Sequence, residues 1–93
     1  MKKNKGLVQC MLMLDYLIEE HHHCINTIQA RSILDILQPA TIVFKLRKEY
    51  GCDIETIPIS VGIHDNVALY KLRSINRSTR ETLERLKYIS NWK

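Results

Sequence analysis

The fold of this chain is decided by residues 25–51, which read INTIQARSILDILQPATIVFKLRKEYG. Thr27 is a good N-cap residue, and it predicts a helix over residues 28–37. Pro39 lacks a backbone N–H and disfavours helical backbone at Gln38, so this helix must end before it. Because proline suits the first turn of a helix, the same residue predicts the start of a second helix. The buried side of the first helix is predicted to consist of Ile28, Ile33 and Leu34, with Ile36 or Leu37.

A basic helix and a β-hairpin are predicted after this turn. The basic helix covers residues 39–50, because Gly51 readily adopts the left-handed backbone that ends a helix. Residues 54–61 and 67–72 are rich in β-branched and aromatic side chains, which predicts two strands around a turn at 62–66. An isolated hairpin is marginally stable, so it must pack on the helices. A helix, a turn, a helix and a hairpin in this order suit a DNA groove.

Two further helices are predicted in the flanking segments. Apolar residues at the helical period predict a helix over 6–21. A serine followed three residues later by a glutamate, at positions 78 and 81, resembles a capping box and predicts a helix over 79–90. The apolar residues left without an assigned partner on these helices are Leu12, Tyr16, Leu83, Leu86 and Ile89. They are expected to meet within one chain or across a two-fold axis, and we predict a homodimer that uses one or both helices.

The composition excludes several classes of protein. Forty-five per cent hydrophobic residues suffice for one small domain, and no apolar run reaches the length of about 18 residues that a membrane span needs. The basic N-terminus and the apolar residues 7–14 resemble a signal peptide, but Asp15 interrupts them and no cleavage site follows. The cysteines, Cys10, Cys24 and Cys52, are odd in number and scattered, which favours the reducing cytoplasm.

The positive charge is concentrated at the C-terminal end. The whole chain carries a net charge of +4, but residues 1–70 have a net charge of −1 and residues 71–93 a net charge of +5. A basic tail beside two helices and a hairpin suits contacts with phosphate groups. A solvated basic helix would give the same pattern.

Four segments of the chain carry a resemblance to a known family. They are INTIQAR at 25–31, LDILQPA at 34–40, KLRKEYG at 45–51 and VALYKL at 67–72. In order and spacing they resemble the small winged helix-turn-helix proteins common in phages and prophages, over about residues 8–72. The resemblance implies a DNA-binding fold.

Two features depart from the family's pattern. The family often places arginine where this chain has Ile42, and the tip of this wing carries His64 and Asp65 without lysine or arginine. Both departures weaken the expected grip on phosphate. DNA binding is therefore expected to be weak or to depend on the basic tail.

The predicted fold class is α+β, mainly α. It is a winged helix-turn-helix of three helices and a β-hairpin wing, with an added C-terminal helix. Residues 1–73 are predicted to form the winged helix-turn-helix domain, and residues 74–93 a basic linker and the C-terminal helix. Ile25 is expected to contribute a third short strand.

The helix over 39–50 is the candidate recognition helix. Glutamine can read adenine, threonine can contact the thymine methyl group, and lysine can reach guanine or phosphate. The alternative is an ordinary amphipathic helix with a solvated face. In either case the inward residues of the helix over 39–50 are expected to be Ala40, Val43, Leu46 and Tyr50, with Ile42 and Phe44 near the exposed side. The predicted DNA-binding residues are Arg31, Gln38, Thr41, Lys45, Lys48, Lys71, Arg73, Arg77 and Arg80.

Two other patterns favour structural interpretations. Arg47 lies beside an inward position and is expected to pair with an acid such as Asp35 or Glu49. The run of three histidines and a cysteine at 21–24 lacks the spacing of a zinc site, because neighbouring helical residues point about 100° apart, and it suits a polar helix end.

No glycine-rich phosphate loop or nucleophile motif is present, so no enzyme activity and no cofactor are predicted.

The leading hypothesis is a cytoplasmic protein of phage or mobile-element type that binds double-stranded DNA. It would act as a small transcriptional regulator, or as an accessory factor in recombination or replication. The rival is a protein-interaction module on the same fold, which binds and modulates a host or phage protein through exposed apolar residues. RNA binding ranks third, because the basic helix lacks a stacking platform for bases. No small-molecule substrate is predicted.

Overall fold

The computed structural model of the protein describes residues 5–90. Within this range the chain forms four helices and one three-stranded antiparallel sheet. In chain order the elements are α1 (Lys5–Glu19), β1 (Cys24–Asn26), α2 (Thr27–Leu34), α3 (Pro39–Tyr50), β2 (Ile54–Val61), β3 (His64–Leu72) and α4 (Arg77–Ile89). None of these helices is long and apolar enough to cross a membrane.

β3 is the central strand of the sheet. It pairs with β1 on one side and with β2 on the other, both antiparallel. Ile25 lies opposite Tyr70, which confirms the predicted third strand. β2 is an edge strand, and Pro58 is tolerated there because a free edge can lack a ladder donor.

The hairpin turn is shorter than predicted. Val61 pairs with His64, so only residues 62–63 form the turn, and Gly62 has a φ of +59°. β3 therefore begins at His64 rather than at residue 67. A register shift beside Val61 and the left-handed backbone of Asn66, with a φ of +60°, mark a β-bulge that lets the ladder continue to the tip.

The hydrophobic core lies where α1, α3 and the sheet meet. α1 contributes the fully buried Leu14 and Leu17, β1 contributes Ile25, and α3 contributes Leu46. Tyr70 and Leu72 of β3 close the core from the sheet side. The core therefore packs against one side of α3, and the opposite side of this helix is exposed to solvent.

α2 differs from its prediction at both ends and in its buried side. The side chain of Asn26, not Thr27, caps the helix by accepting the N–H of Gln29 at 2.8 Å. The helix ends at Leu34, because Asp35 adopts left-handed backbone with a φ of +58°. That early end reorients the following residues. The buried residues are Ala30 and Ile36, whereas the predicted core residues Ile28, Ile33 and Leu37 are 37%, 55% and 74% exposed.

The inward face of α3 also differs from its prediction. Pro39, Ile42, Val43 and Leu46 are buried, at the helical spacing of three and four residues. Ala40, expected to face inward, is exposed, and Ile42, expected near the exposed side, is 5% exposed. Phe44 does face solvent, with 59% of its surface exposed.

α4 begins two residues earlier than predicted and packs on α1. The cap is Asn76, whose side chain accepts the N–H of Thr79 at 2.9 Å, and not Ser78. Lys87 of α4 lies 4.0 Å from Asp15 of α1. Leu83 and Leu86, predicted for a subunit interface, belong to the core of the single chain, while Ile89 is 49% exposed.

Candidate nucleic-acid interface

The outward face of α3 is the centre of the candidate interface. Thr41, Phe44 and Lys48 are exposed and follow one another at helical spacing, opposite the buried face. Lys45 is half-buried on the flank nearest α1, where its charge acts on the Cys10 thiol. We call Thr41, Phe44, Lys45 and Lys48 the outward stripe. Neither lysine makes an ion pair within 4.0 Å in the described part of the chain.

The turn before α3 brings three predicted DNA-binding residues together. The hydroxyl of Thr41 donates to the side-chain oxygen of Gln38 at 3.5 Å. Nε of Arg31 donates to the carbonyl oxygen of Leu37 at 3.2 Å, so the arginine side chain lies over the turn. Arg31, Gln38 and Thr41 therefore form one exposed polar group at the N-terminal end of the outward stripe.

The wing is joined to α3 by Arg47. Its Nε donates to the carbonyl oxygen of Ile54 at 2.7 Å, and its Nη2 donates to the hydroxyl of Thr56. Arg47 therefore has structural partners, but they are on β2 and are not the predicted Asp35 or Glu49. The sequence held no local signal for this pairing, because the partners lie on another element.

The wing tip is apolar and acidic rather than basic. Ile63 is 94% exposed, and the carboxylate of Asp65 accepts a hydrogen bond from Ser60 at 3.1 Å. An open groove of about 700 Å³ separates the tip from α2, with Arg31 on the α2 side and His64 on the wing side. Among residues 5–90, Arg31 is the only lysine or arginine that lines this groove.

The predicted basic residues of the last strand and tail lie apart from the turn before α3. Arg73 pairs with Glu55 at 3.3 Å, and Arg77 pairs with Glu81 at 3.3 Å. Lys71 is exposed on the sheet beside Arg73, and Arg80 is exposed without an ion pair within the described residues.

The start of α4 lies beside the opposite end of α3 from the turn. Residues 50–53 line a common polar groove there with Ser74, Asn76, Ser78, Thr79 and Thr82. α3 has 12 residues and is about 18 Å long. The predicted site residues outside the outward stripe therefore lie in two groups, towards the two ends of α3.

The cysteines are protonated in the folded protein at neutral pH. Burial raises the pKa of the Cys10 thiol to about 11 and that of the Cys52 thiol to about 11. Burial, and then the Glu20 carboxylate, raise the pKa of Cys24. Because the thiolate is the reactive form, these thiols are weak nucleophiles.

The three histidines at 21–23 follow the C-terminal end of α1. Nδ1 of His23 lies 2.9 Å from the carbonyl oxygen of Leu17. Desolvation acts to raise the pKa of Glu20, but the N–H groups of Cys24 and His22 and the nearby histidines outweigh it and lower that pKa. Within residues 5–90, no group of three or more histidine, cysteine, aspartate or glutamate side chains converges as a metal site requires.

This architecture defines a winged helix-turn-helix domain. α2, the turn and α3 form the helix-turn-helix, and the β2–β3 hairpin projects beside α3 as the wing. Residues 8–74 match the family model of the winged helix-turn-helix domain, so the chain belongs to this family. The match confirms a winged helix-turn-helix family and the predicted fold class. Comparisons with curated proteins and with solved structures gave no significant match.

Proposed function

We propose that this domain binds double-stranded DNA, with the outward stripe of α3 in the major groove. The observation that carries the proposal is the outward stripe itself, within a family-matched winged helix-turn-helix. Three of its four residues are exposed, it contains two lysines and no acidic residue, and the core packs against the opposite side of the helix. A rigid helix that exposes positive charge and hydrogen-bonding groups can enter the major groove, which admits one α-helix.

The two groups towards the ends of α3 have separate roles in this proposal. Gln38 and Thr41 contact base edges at the N-terminal end, and Arg31 contacts the adjacent phosphate group. At the other end Lys71 and Arg80 are available for phosphate groups. Arg73 and Arg77 must first leave Glu55 and Glu81, and these exposed pairs are weak enough to exchange for phosphate.

The biological role that we propose is a small regulator or accessory factor of phage or mobile-element type, in the cytoplasm. The resemblance of residues 25–72 to small phage and prophage proteins supports the type.

We further propose a homodimer, because two copies that bind two half-sites gain specificity. With Leu83 and Leu86 covered inside the chain, the surface left for a second copy comprises Leu12, Tyr16 and Ile89.

Selection of duplex DNA from a random pool tests DNA binding. The full-length protein should enrich a common sequence at low salt, and its affinity should fall steeply as the salt concentration rises, because bound phosphate groups release counterions. An Arg31→Ala, Lys48→Ala double variant is the matched control and should lose most of this enrichment. Recovery of the random pool unchanged at low salt would contradict the proposal.

A groove between α1 and the end of α2 supports a second candidate function, protein binding. Leu12, Tyr16 and Leu34 form its apolar floor, and Asp15, Glu19 and Glu20 surround it. This acidic groove of about 300 Å³ suits a basic segment of a partner protein. Binding here should survive Lys48→Ala and be lost with Tyr16→Ala, which separates it from DNA binding.

A further inference from the structure

The middle of the outward stripe is occupied by an aromatic ring. Phe44 lies one turn after Thr41 and one turn before Lys48, and it is 59% exposed. It lies outside the hydrophobic core and therefore does not hold the domain together. A large apolar side chain in this position needs an apolar partner if the helix enters a polar groove.

The ring is held in a defined place by its neighbour. The ammonium nitrogen of Lys48 lies 5.8 Å from the centroid of the Phe44 ring, within the range of a cation–π contact. The lysine therefore covers part of the ring and leaves the rest to solvent. Its charge lies beside the ring, where it can reach a phosphate group while the ring points into the groove.

Thymine carries the only methyl group among the base edges at the floor of the major groove. Base edges present hydrogen-bond donors and acceptors there, and the C5-methyl group of thymine is the apolar exception. We propose that Phe44 is a specificity-determining residue that contacts a thymine methyl group, near the middle of the bound site. This inference rests on the proposed DNA binding and deepens it, because it names the base feature that the outward stripe recognises.

The contact has a specific consequence for affinity. Removing one methyl group from an apolar contact should weaken binding about fourfold, since each buried methylene-sized group contributes roughly 0.8 kcal/mol. Thr41 also carries a methyl group that could contact thymine. The contributions of Phe44 and Thr41 can be separated, because the two residues lie one helical turn apart and each side chain can be shortened without changing the core.

The test replaces each thymine of a selected duplex, one at a time, by deoxyuridine. This removes the methyl group and leaves the hydrogen-bonding edges intact. For the unaltered protein, affinity should fall about fourfold at one or two thymines. Phe44→Ala should bind the thymine and uracil forms equally at one of those positions, which assigns that position to Phe44. Phe44→Leu, which keeps an apolar side chain, should retain the preference for thymine.

Thr41→Ser is the matched control, because it removes the threonine methyl group and keeps the hydroxyl. It should retain the thymine preference at the position assigned to Phe44. Circular dichroism should show all three variants folded, since both side chains are exposed. A selected site without thymine, or equal losses on uracil substitution for Phe44→Ala and the unaltered protein, would overturn the inference alone. Failure to enrich any duplex would overturn the proposed function and this inference with it.

Discussion

Arg47 and Ile54 lie on different elements and are joined by one hydrogen bond, from Nε of the guanidinium to the carbonyl oxygen at 2.7 Å. Nη2 of the same guanidinium donates to Thr56 two residues further along β2. α3 and the wing are therefore linked by two hydrogen bonds from one side chain, in addition to the core. The proposed contact of both elements with one DNA duplex requires a defined angle between them, and this link helps to hold it.

Replacing Arg47 should loosen the wing. Arg47→Ala removes both hydrogen bonds, and because the site is exposed we expect the free energy of unfolding to fall by about 1 kcal/mol. Urea-induced unfolding measures this change, and the amide of Ile57 should exchange faster with solvent. Lys48→Ala, one residue away and without such bonds, is the control and should leave stability unchanged. Unchanged stability in Arg47→Ala, together with lost DNA binding, would assign Arg47 to the DNA instead.

Removing the lysines of the outward stripe should reduce the salt dependence of DNA binding. Each lost phosphate contact should lower the slope of log affinity against log salt by roughly one. Lys48→Ala should have a larger effect than Lys45→Ala, since Lys48 is exposed and Lys45 is half-buried on the α1 flank. Glu49→Gln on the same helix removes a negative charge and should not weaken binding. Normal affinity in the double lysine variant would remove α3 from the interface.

Leu46 should be essential for stability, whereas Phe44 should not. Leu46 is fully buried, so Leu46→Ala leaves a cavity and should cost about 2–5 kcal/mol. For a domain of this size each kcal/mol lowers the melting temperature by about 4–8 °C. Phe44→Ala should lower it by only a few degrees, because the ring is largely exposed. Similar melting temperatures for the two variants would show that the orientation of α3 is wrong.

The buried thiols should make the protein less stable at alkaline pH. The pKa values of Cys10 and Cys52 are raised from 9.0 to about 11 in the folded state. In the unfolded chain these thiols lose their protons first, so their contribution is fully present below pH 9 and is lost as the pH rises toward 11.

Two measurements check this behaviour. A thiol reagent at pH 8 should label Cys24 first and the other two cysteines only when the protein unfolds, since Cys24 is half-buried. Cys52→Ala should flatten the decline in stability above pH 9, and Cys24→Ala should flatten it less. Rapid labelling of Cys10 in the native protein would contradict the burial on which the prediction depends.

The proposed homodimer predicts a concentration-dependent sedimentation coefficient. Full-length protein should sediment as a dimer at high micromolar concentration. Ile89→Asp should yield a folded monomer, because Ile89 is 49% exposed and can accept a charge without disturbing the core. Leu86→Asp should instead unfold the domain, since Leu86 is fully buried. A monomeric unaltered protein would reject the dimer and leave α4 as a brace on α1.

The sequence by itself determined the elements whose signals are local. Pro39 sets the start of α3, because its ring fixes φ and removes the N–H that a preceding helix would need. Gly51 sets the end, because glycine adopts left-handed backbone, here with a φ of +66°, at little cost. The two strands of the wing followed from β-branched residues, and the helix-turn-helix order followed from the spacing of these signals. The same local reasoning found Thr41 and Lys48 on the exposed side of α3.

Only the tertiary structure decided which side chains have partners. Asn26 and Thr27 are both good caps, and the choice fell to Asn26 because it ends a strand paired with β3. Ile42 is buried and Phe44 is not, because the packing of α1 and the sheet selects which apolar side of α3 is covered. The partners of Arg47, and the burial of α4 against α1, depend on segments distant in sequence. Burial is a property of two surfaces in contact, and a local pattern specifies only one of them.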